Sequence, residues 1–205
     1  VLNAQPASDV VLRVTSADTG EVTVGTADYT FTNGNWDSAQ TVTLTGVNDA
    51  IVDTDTETTV TITVVDASSN DEYDGVADQT VTVTTTDNET AGYTKSQTTR
   101  TVAETGTTAT FTLVLNAQPV TDVVLNVVSA DTGEVTVGTA NYTFTNSNWS
   151  TPQTVTLTGV NDTIVDTNTE TTVTISVTDA SSNDEYDDVA NQTITVTTTD
   201  NETAS

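Results

Sequence analysis

Cysteine, histidine and methionine are absent from this 205-residue chain. Without thiol or imidazole there is no Ser-His-Asp or Cys-His nucleophile and no zinc site built on Cys and His. No disulfide can staple the fold. The metal chemistry left open is that of hard cations held by oxygen, Ca2+ or Mg2+. Basic residues are almost missing too: Arg13, Lys95 and Arg100 stand against 30 acids, for a net charge of −27. That balance excludes a basic track for nucleic acid and disfavours an anionic membrane surface. No apolar run approaches the length of a membrane span, so no membrane insertion is expected. Aromatics are few, with two Trp, five Tyr and three Phe.

What the chain has in abundance is Thr and Val, both β-branched and favoured in strands. It also repeats itself. Residues 1–92 align without a gap on 114–205, an offset of 113, with about 80% of positions identical. VLNAQP at Val1–Pro6 returns at Val114–Pro119, QTVTLTGVND returns from Gln40 at Gln153, and DASSNDEYD returns from Asp66 at Asp179. Two nearly equal copies in series suit a spacer or a multivalent binder better than an active site. Residues 99–113 have no counterpart before Val1. The expected organisation is a first repeat over 1–91 that misses its opening strand, a linker over 92–98, and a second repeat over 99–205.

Each repeat reads as a string of short strands. In TVTISV, Val173, Ile175 and Val177 face one way and the hydroxyl residues the other, and Ile194 and Val196 do the same in QTITVTTT. A period of two marks half-buried strands. In the second copy strands are expected near 101–103, 108–115, 122–129, 134–137, 142–145, 153–160, 170–178 and 192–199. Such spacing, divided by Asn, Asp, Gly and Ser clusters, points to all-β architecture: two tandem antiparallel, Ig-like β-sandwiches joined by a short linker. Trp36 and Trp149 are expected as core or rim anchors.

The acids gather where strands end. GVNDAIVDTDTE holds Asp49, Asp53, Asp55 and Glu57, and its copy holds Asp162, Asp166 and Glu170. Each repeat closes on Asp-Asn-Glu, at Asp87–Glu89 and Asp200–Glu202, and Glu104 stands alone in TVAETG. DASSNDEYD adds Asp71 and Asp74, repeated at Asp184 and Asp187. Crowded carboxylates without a counter-charge raise one another's pKa and strain the loop, and Ca2+ takes six to eight oxygens. The competing readings are ordinary Asx turns and a solvated, salt-adapted surface. Asp-Thr-Gly occurs at Asp18–Gly20 and Asp131–Gly133, but in polar turns rather than after an apolar strand, so an aspartic protease is not expected.

The run TVAETGTTATFTLVLNAQP, then TANYTFTN, then TVTLTGVNDTIVDTNTETTVTISV, then TTTDNE resembles the Calx-beta domain. With the NW…QTVTLTGV…D phrase and the D-x-S-x-x-D-x-Y loop, it is similar to the extender repeats of long bacterial RTX adhesins exported by type I secretion. The resemblance implies Calx-beta-like sandwiches with calcium at one end. In the second repeat it places ligands at Glu104, Asp162, Asp166, Glu170 and, in the closing run Asp200-Asn201-Glu202, at Asp200 and Asn201. In the first it places them at Asp28, Asp49, Asp53, Glu57 and Asp87. Asn141 replaces the acid that Asp28 keeps, and Asn161 and Asn201 soften two further positions.

The expectation is therefore a calcium-binding stalk of a secreted adhesin at a bacterial cell surface. Its partners are neighbouring repeats of the same chain; no small-molecule substrate, catalytic activity or oligomer is expected. The alternative is a ligand- or glycan-binding adhesin domain, which predicts an exposed aromatic patch.

Overall fold

The computed structural model describes residues 1–165 and 167–203, and all its regular elements are strands and short 3-10 turns. The chain divides into two compact units, 1–49 with 54–87, and 50–53 with 88 onward.

The first unit contains β1 (Val10–Ser16), β2 (Val22–Val24), β3 (Asp28–Phe31), β4 (Leu44–Gly46), β6 (Thr56–Val64) and β7 (Gln79–Thr85). They form a four-stranded sheet in the order β3-β1-β6-β7 and a two-stranded sheet β2-β4, every pairing antiparallel. Val10, Val14, Val22, Phe31 and Val60 form its core, with Trp36 packed against it.

The second unit takes in β5 (Ile51–Val52), then β8 (Tyr93–Lys95), β9 (Thr99–Ala103), β10 (Thr108–Leu115), β11 (Gln118–Pro119), β12 (Val123–Ser129), β13 (Val135–Val137), β14 (Asn141–Phe144), β15 (Gln153–Gly159), β16 (Thr169–Val177) and β17 (Gln192–Thr199). One sheet runs β14-β12-β16-β17-β9 and the other β13-β15-β10-β8. Two pairings are parallel: β9 with β17, and the two-residue β5 with β11. Between the sheets lie Phe111, Leu113, Leu125, Phe144, Leu157, Ile175, Ile194 and Val196, all nearly inaccessible, with Trp149 packed on the cluster. This is the expected β-sandwich.

The expected strands of the second repeat all form, within a residue or two. The stretch read as linker does not stay irregular, because Tyr93–Lys95 pairs antiparallel with Leu113–Leu115. The reason is Tyr93, which inserts between the sheets at 3% exposure. Its hydroxyl donates to the Ile175 carbonyl at 2.8 Å and accepts from Gln192 N at 3.0 Å. A buried aromatic with a satisfied hydroxyl outweighs the turn preference of the flanking Gly and Ser.

The same sequence is less well covered in the first unit. Among the described residues it has no counterpart of β8, β9 or β10. Ile62, Val83, Leu44 and Val42 are half-buried there, whereas Ile175, Val196, Leu157 and Val155 are fully buried. Val81 is 46% exposed, and its copy Ile194 is 0% exposed.

Candidate metal centre

The parallel pairing of β9 with β17 builds the site. Its register sets Ala103 opposite Thr199, so the next residue on each strand, Glu104 and Asp200, emerge side by side. Glu104 N donates to the Thr199 carbonyl at 3.2 Å, carrying the pairing one step beyond the strands. The chain then turns at once: Gly106 takes φ of 82°, and Gly106 N and Thr107 N both donate to the Ala103 carbonyl, at 3.1 and 3.3 Å. A left-handed φ there favours glycine, so ETGT holds the Glu104 side chain against the end of β17.

Glu104, Asp200 and Glu202 each offer a carboxylate oxygen, and the three lie within 4.8 Å of one another. Oxygens sharing one Ca2+ at about 2.3–2.6 Å are separated by up to roughly 5 Å, so the spacing fits. Glu104 is 3% exposed, while the other two are half-buried. Asp200 Oδ1 accepts from Glu202 N at 3.0 Å, which folds the closing run back on itself. Burial, with the Asp200 and Glu104 carboxyls beside it, pushes the Glu202 carboxyl up to about 7. The site thus resists carrying its full negative charge without a counter-charge.

Asn201 sits between the two glutamates. Its inward amide atom lies 3.1 Å from Glu104 Oε2 and 2.7 Å from Glu202 Oε2. With the amide oxygen inward, Nδ2 donates outward to Asn161 Oδ1 at 3.1 Å. Oxygen then faces oxygen, an arrangement a cation relieves. With the amide turned, Nδ2 donates to both glutamates instead. The three carboxylates fit a hard cation, while the Asn201 amide in its satisfied orientation caps the two glutamates.

Of the residues expected as ligands in the second repeat, Glu104, Asp200 and Asn201 come together. Glu202, left in the closing run and not counted among the ligands, completes the group; its spacing from Asp200 was the available signal. Asp162 is used locally, accepting from Ile164 N at 2.7 Å in an Asx turn. Glu170 is exposed on β16, opposite Thr197. Asp166 lies outside the described residues.

In the first repeat Asp28 meets a cation of another kind. It lies opposite Arg13 across β1 and β3, and the guanidinium binds it bidentately at 2.7 and 2.8 Å. The hydrogen bond from Arg13 holds its carboxyl below the usual range. The second unit replaces this pair with Asn126 donating to Asn141 Oδ1 at 2.7 Å. The Asp28–Asn141 difference thus follows a cross-strand partner. Asp49 and Glu57 are exposed, and Asp53 and Asp87 are half-buried. Asp87 N donates to Asp55 Oδ1 at 3.1 Å, as Asp200 N does to Asn168 Oδ1 at 3.3 Å.

The DASSNDEYD loops are two 3-10 turns pinned to the sheet. In the second, Ser182 Oγ accepts from Val124 N at 3.0 Å, and the buried Tyr186 hydroxyl donates to the Ala117 carbonyl at 2.6 Å. Burial pushes the Tyr186 phenol up to about 12. The turns bring acids into pairs. A hydrogen bond to Asp66 raises the Asp74 carboxyl, with Asp71 adding to it. Desolvation, then a hydrogen bond to Asp179, raises Asp187, with Asp184 nearby. Among the described residues only the Glu104 group brings oxygens of three acids within 4.8 Å of one another.

The other motifs are structural. Asp18 and Asp131 of the Asp-Thr-Gly turns each accept from the glycine two residues on, at 2.8 Å. Both Trp residues are half-buried against the cores and form no exposed aromatic patch. No helix is long and apolar enough to cross a membrane among the described residues.

No family model and no curated protein matches the chain. Solved structures similar to it include domains 4 and 5 of the S-layer protein SbsC, at 20% identity and a TM-score of 0.41, covering 92% of this chain and 70% of that one. Domains 1–6 of the same surface layer protein align at 17% identity and a TM-score of 0.45, covering 95% of this chain and 20% of that one. The E. coli chaperone DraB aligns at 6% identity and a TM-score of 0.42, covering 57% of this chain and 59% of that one.

Proposed function

We propose that this chain is a calcium-stabilised structural repeat of an extracellular surface protein, an extender of a bacterial adhesin of the kind it resembles, with no catalytic activity. The observation that supports it is the buried Glu104 carboxylate, set at the end of two parallel strands against Asp200, Glu202 and the Asn201 amide. Three carboxylates held this closely repel unless protonated or bridged. Glu104, Asp200 and Glu202 would hold Ca2+, with the Asn201 amide beside them. The ion supplies fixed positive charge that lets Glu202 ionise. Glu104 and Asp200 then tie the ends of β9 and β17 together, and the Asn201–Asn161 hydrogen bond carries that order into the next loop. Nearly identical beads in series suit a spacer, and the packed Trp residues give the glycan-binding alternative no support.

Calorimetric titration of the chain with CaCl2 at constant ionic strength tests the site. Saturable binding is expected, and Glu104→Gln should weaken it by at least about tenfold, since removing one ligand charge costs more than 1.4 kcal/mol. Asp28→Asn, whose carboxylate is held by Arg13, should leave it unchanged. Equal binding by Glu104→Gln and the parent chain would refute the assignment.

A further inference from the structure

Before an ion arrives, the metal centre has to hold three carboxyl groups together. Glu104 is the demanding one: it is 3% exposed, and its carboxylate lies within 4.8 Å of Asp200 and Glu202, whose charges push it toward solvent. A glutamate side chain alone has the rotamer freedom to swing away. The restraint that keeps it in place therefore acts on its backbone.

That restraint is visible one residue earlier. β9 is the edge strand of its sheet, and Ala103, its last residue, finds partners in the turn rather than in a further strand. Ala103 N donates to Thr107 Oγ1 at 2.6 Å, and the Ala103 carbonyl accepts from Thr107 N at 3.3 Å. One residue thus pairs with both backbone groups of Ala103. The Thr107 carbonyl in turn accepts from Gly159 N at 3.1 Å, at the end of β15 in the facing sheet. Glu104 N completes the frame by donating to the Thr199 carbonyl at 3.2 Å. Most threonines of this chain lie in strands, where β-branching favours them. Thr107 lies between β9 and β10 and is exposed, so neither strand pairing nor core packing accounts for it.

We propose that Thr107 is the positioning residue of the metal centre, fixing the Ala103 backbone so that the Glu104 carboxylate stands beside Asp200 and Glu202 before calcium binds. The assignment rests on the calcium reading of that site and adds the group that pre-forms it. Thr107 acts through the peptide joining Ala103 to Glu104 rather than as a ligand. A ligand already in place loses less freedom on binding, so releasing the restraint weakens affinity. Valine keeps the β-branched shape and removes the hydroxyl acceptor, while serine keeps the acceptor.

The test titrates the full chain and its Thr107→Val, Thr107→Ser and Thr105→Val variants with CaCl2 by calorimetry, and counts metal-bound waters from the luminescence decay of Tb3+ in H2O and D2O. Thr107→Val should bind Ca2+ at least about tenfold more weakly, the scale of losing a group that orients a ligand. It should also bind Tb3+ with an additional water where Glu104 no longer reaches. Thr107→Ser should restore both, and Thr105→Val, exposed in the same turn, should match the parent chain. A merely structural role would lower the urea midpoint in EDTA without adding a water, and that result would overturn the assignment. So would equal Ca2+ binding by Thr107→Val, or a loss that Thr107→Ser does not restore, in a parent chain that binds. A parent chain that binds no Ca2+ would overturn the calcium reading and this assignment with it.

Discussion

Glu202 shows at the level of one side chain what the acidic site demands. Its carboxyl titrates at about 7 in the fold against an ordinary value of 4.5, because burial and the neighbouring Asp200 and Glu104 disfavour its charge. Between those two values the folded chain binds more protons than the unfolded one. Without a divalent cation, this group's contribution to stability therefore falls as pH rises from 4.5 to 7, and the penalty is complete above 7. Urea unfolding in EDTA at pH 5 and pH 8 should show the Glu202→Gln chain gaining on the parent as pH rises. Saturating Ca2+ should reverse the order at pH 8, since the glutamine has lost a ligand charge. A pH-independent difference in EDTA would show that Glu202 is not under this pressure.

At the level of elements, identical residues have different duties in the two copies, and glycine exposes the difference. A Cβ on Gly159, at the end of β15, would stand 2.2 Å from the Ala103 carbonyl oxygen and 2.8 Å from its carbon. That backbone carries Glu104 next in line. On Gly46, the copy, a Cβ would meet only Thr85 Cγ2 at 3.7 Å. Gly159→Ala should cost about 1–3 kcal/mol by overpacking and weaken Ca2+ binding by displacing Glu104. Gly46→Ala should stay within about 0.5 kcal/mol. Denaturant midpoints and a Ca2+ titration of each variant decide this. The strands themselves were legible in the sequence, because Val173, Ile175, Val177, Ile194 and Val196 alternate cleanly with hydroxyl residues. The three-residue β8 was not, because one tyrosine flanked by turn formers has no period. The site was half legible: turn residues cluster visibly at strand ends, but only the parallel β9–β17 register shows that Glu104 meets Asp200 and Glu202. The pairing of Asp28 with Arg13 was not legible, because the two are adjacent only once β1 and β3 are paired.

For the whole molecule, the two units are unequal, as a first repeat without its opening strand implies. The alignment of the copies shows the missing strand, but how far each residue loses cover is set by which strands lie over it. Leu12, Val42, Leu44, Ile62 and Val83 lack the cover that their copies receive from β8, β9 and β10. Incompletely buried aliphatics forfeit roughly 25 cal/mol per Å2 left in water. Calorimetry should therefore show two transitions, the first unit melting at least about 10 °C below the second. A single transition would contradict the unequal cores.

The most direct test of the calcium reading is which transition answers to calcium. The chain is melted in EDTA, in millimolar CaCl2, and in NaCl of matched ionic strength. Ca2+ at about 100 times its Kd adds roughly 2.7 kcal/mol, so the upper transition, from the unit holding Glu104, Asp200 and Glu202, should rise by at least about 5 °C in CaCl2 alone. The Glu104→Gln chain should lose that rise. If NaCl raises the transition as far as CaCl2 does, the acids are a salt-screened surface and the calcium-stabilised repeat is wrong.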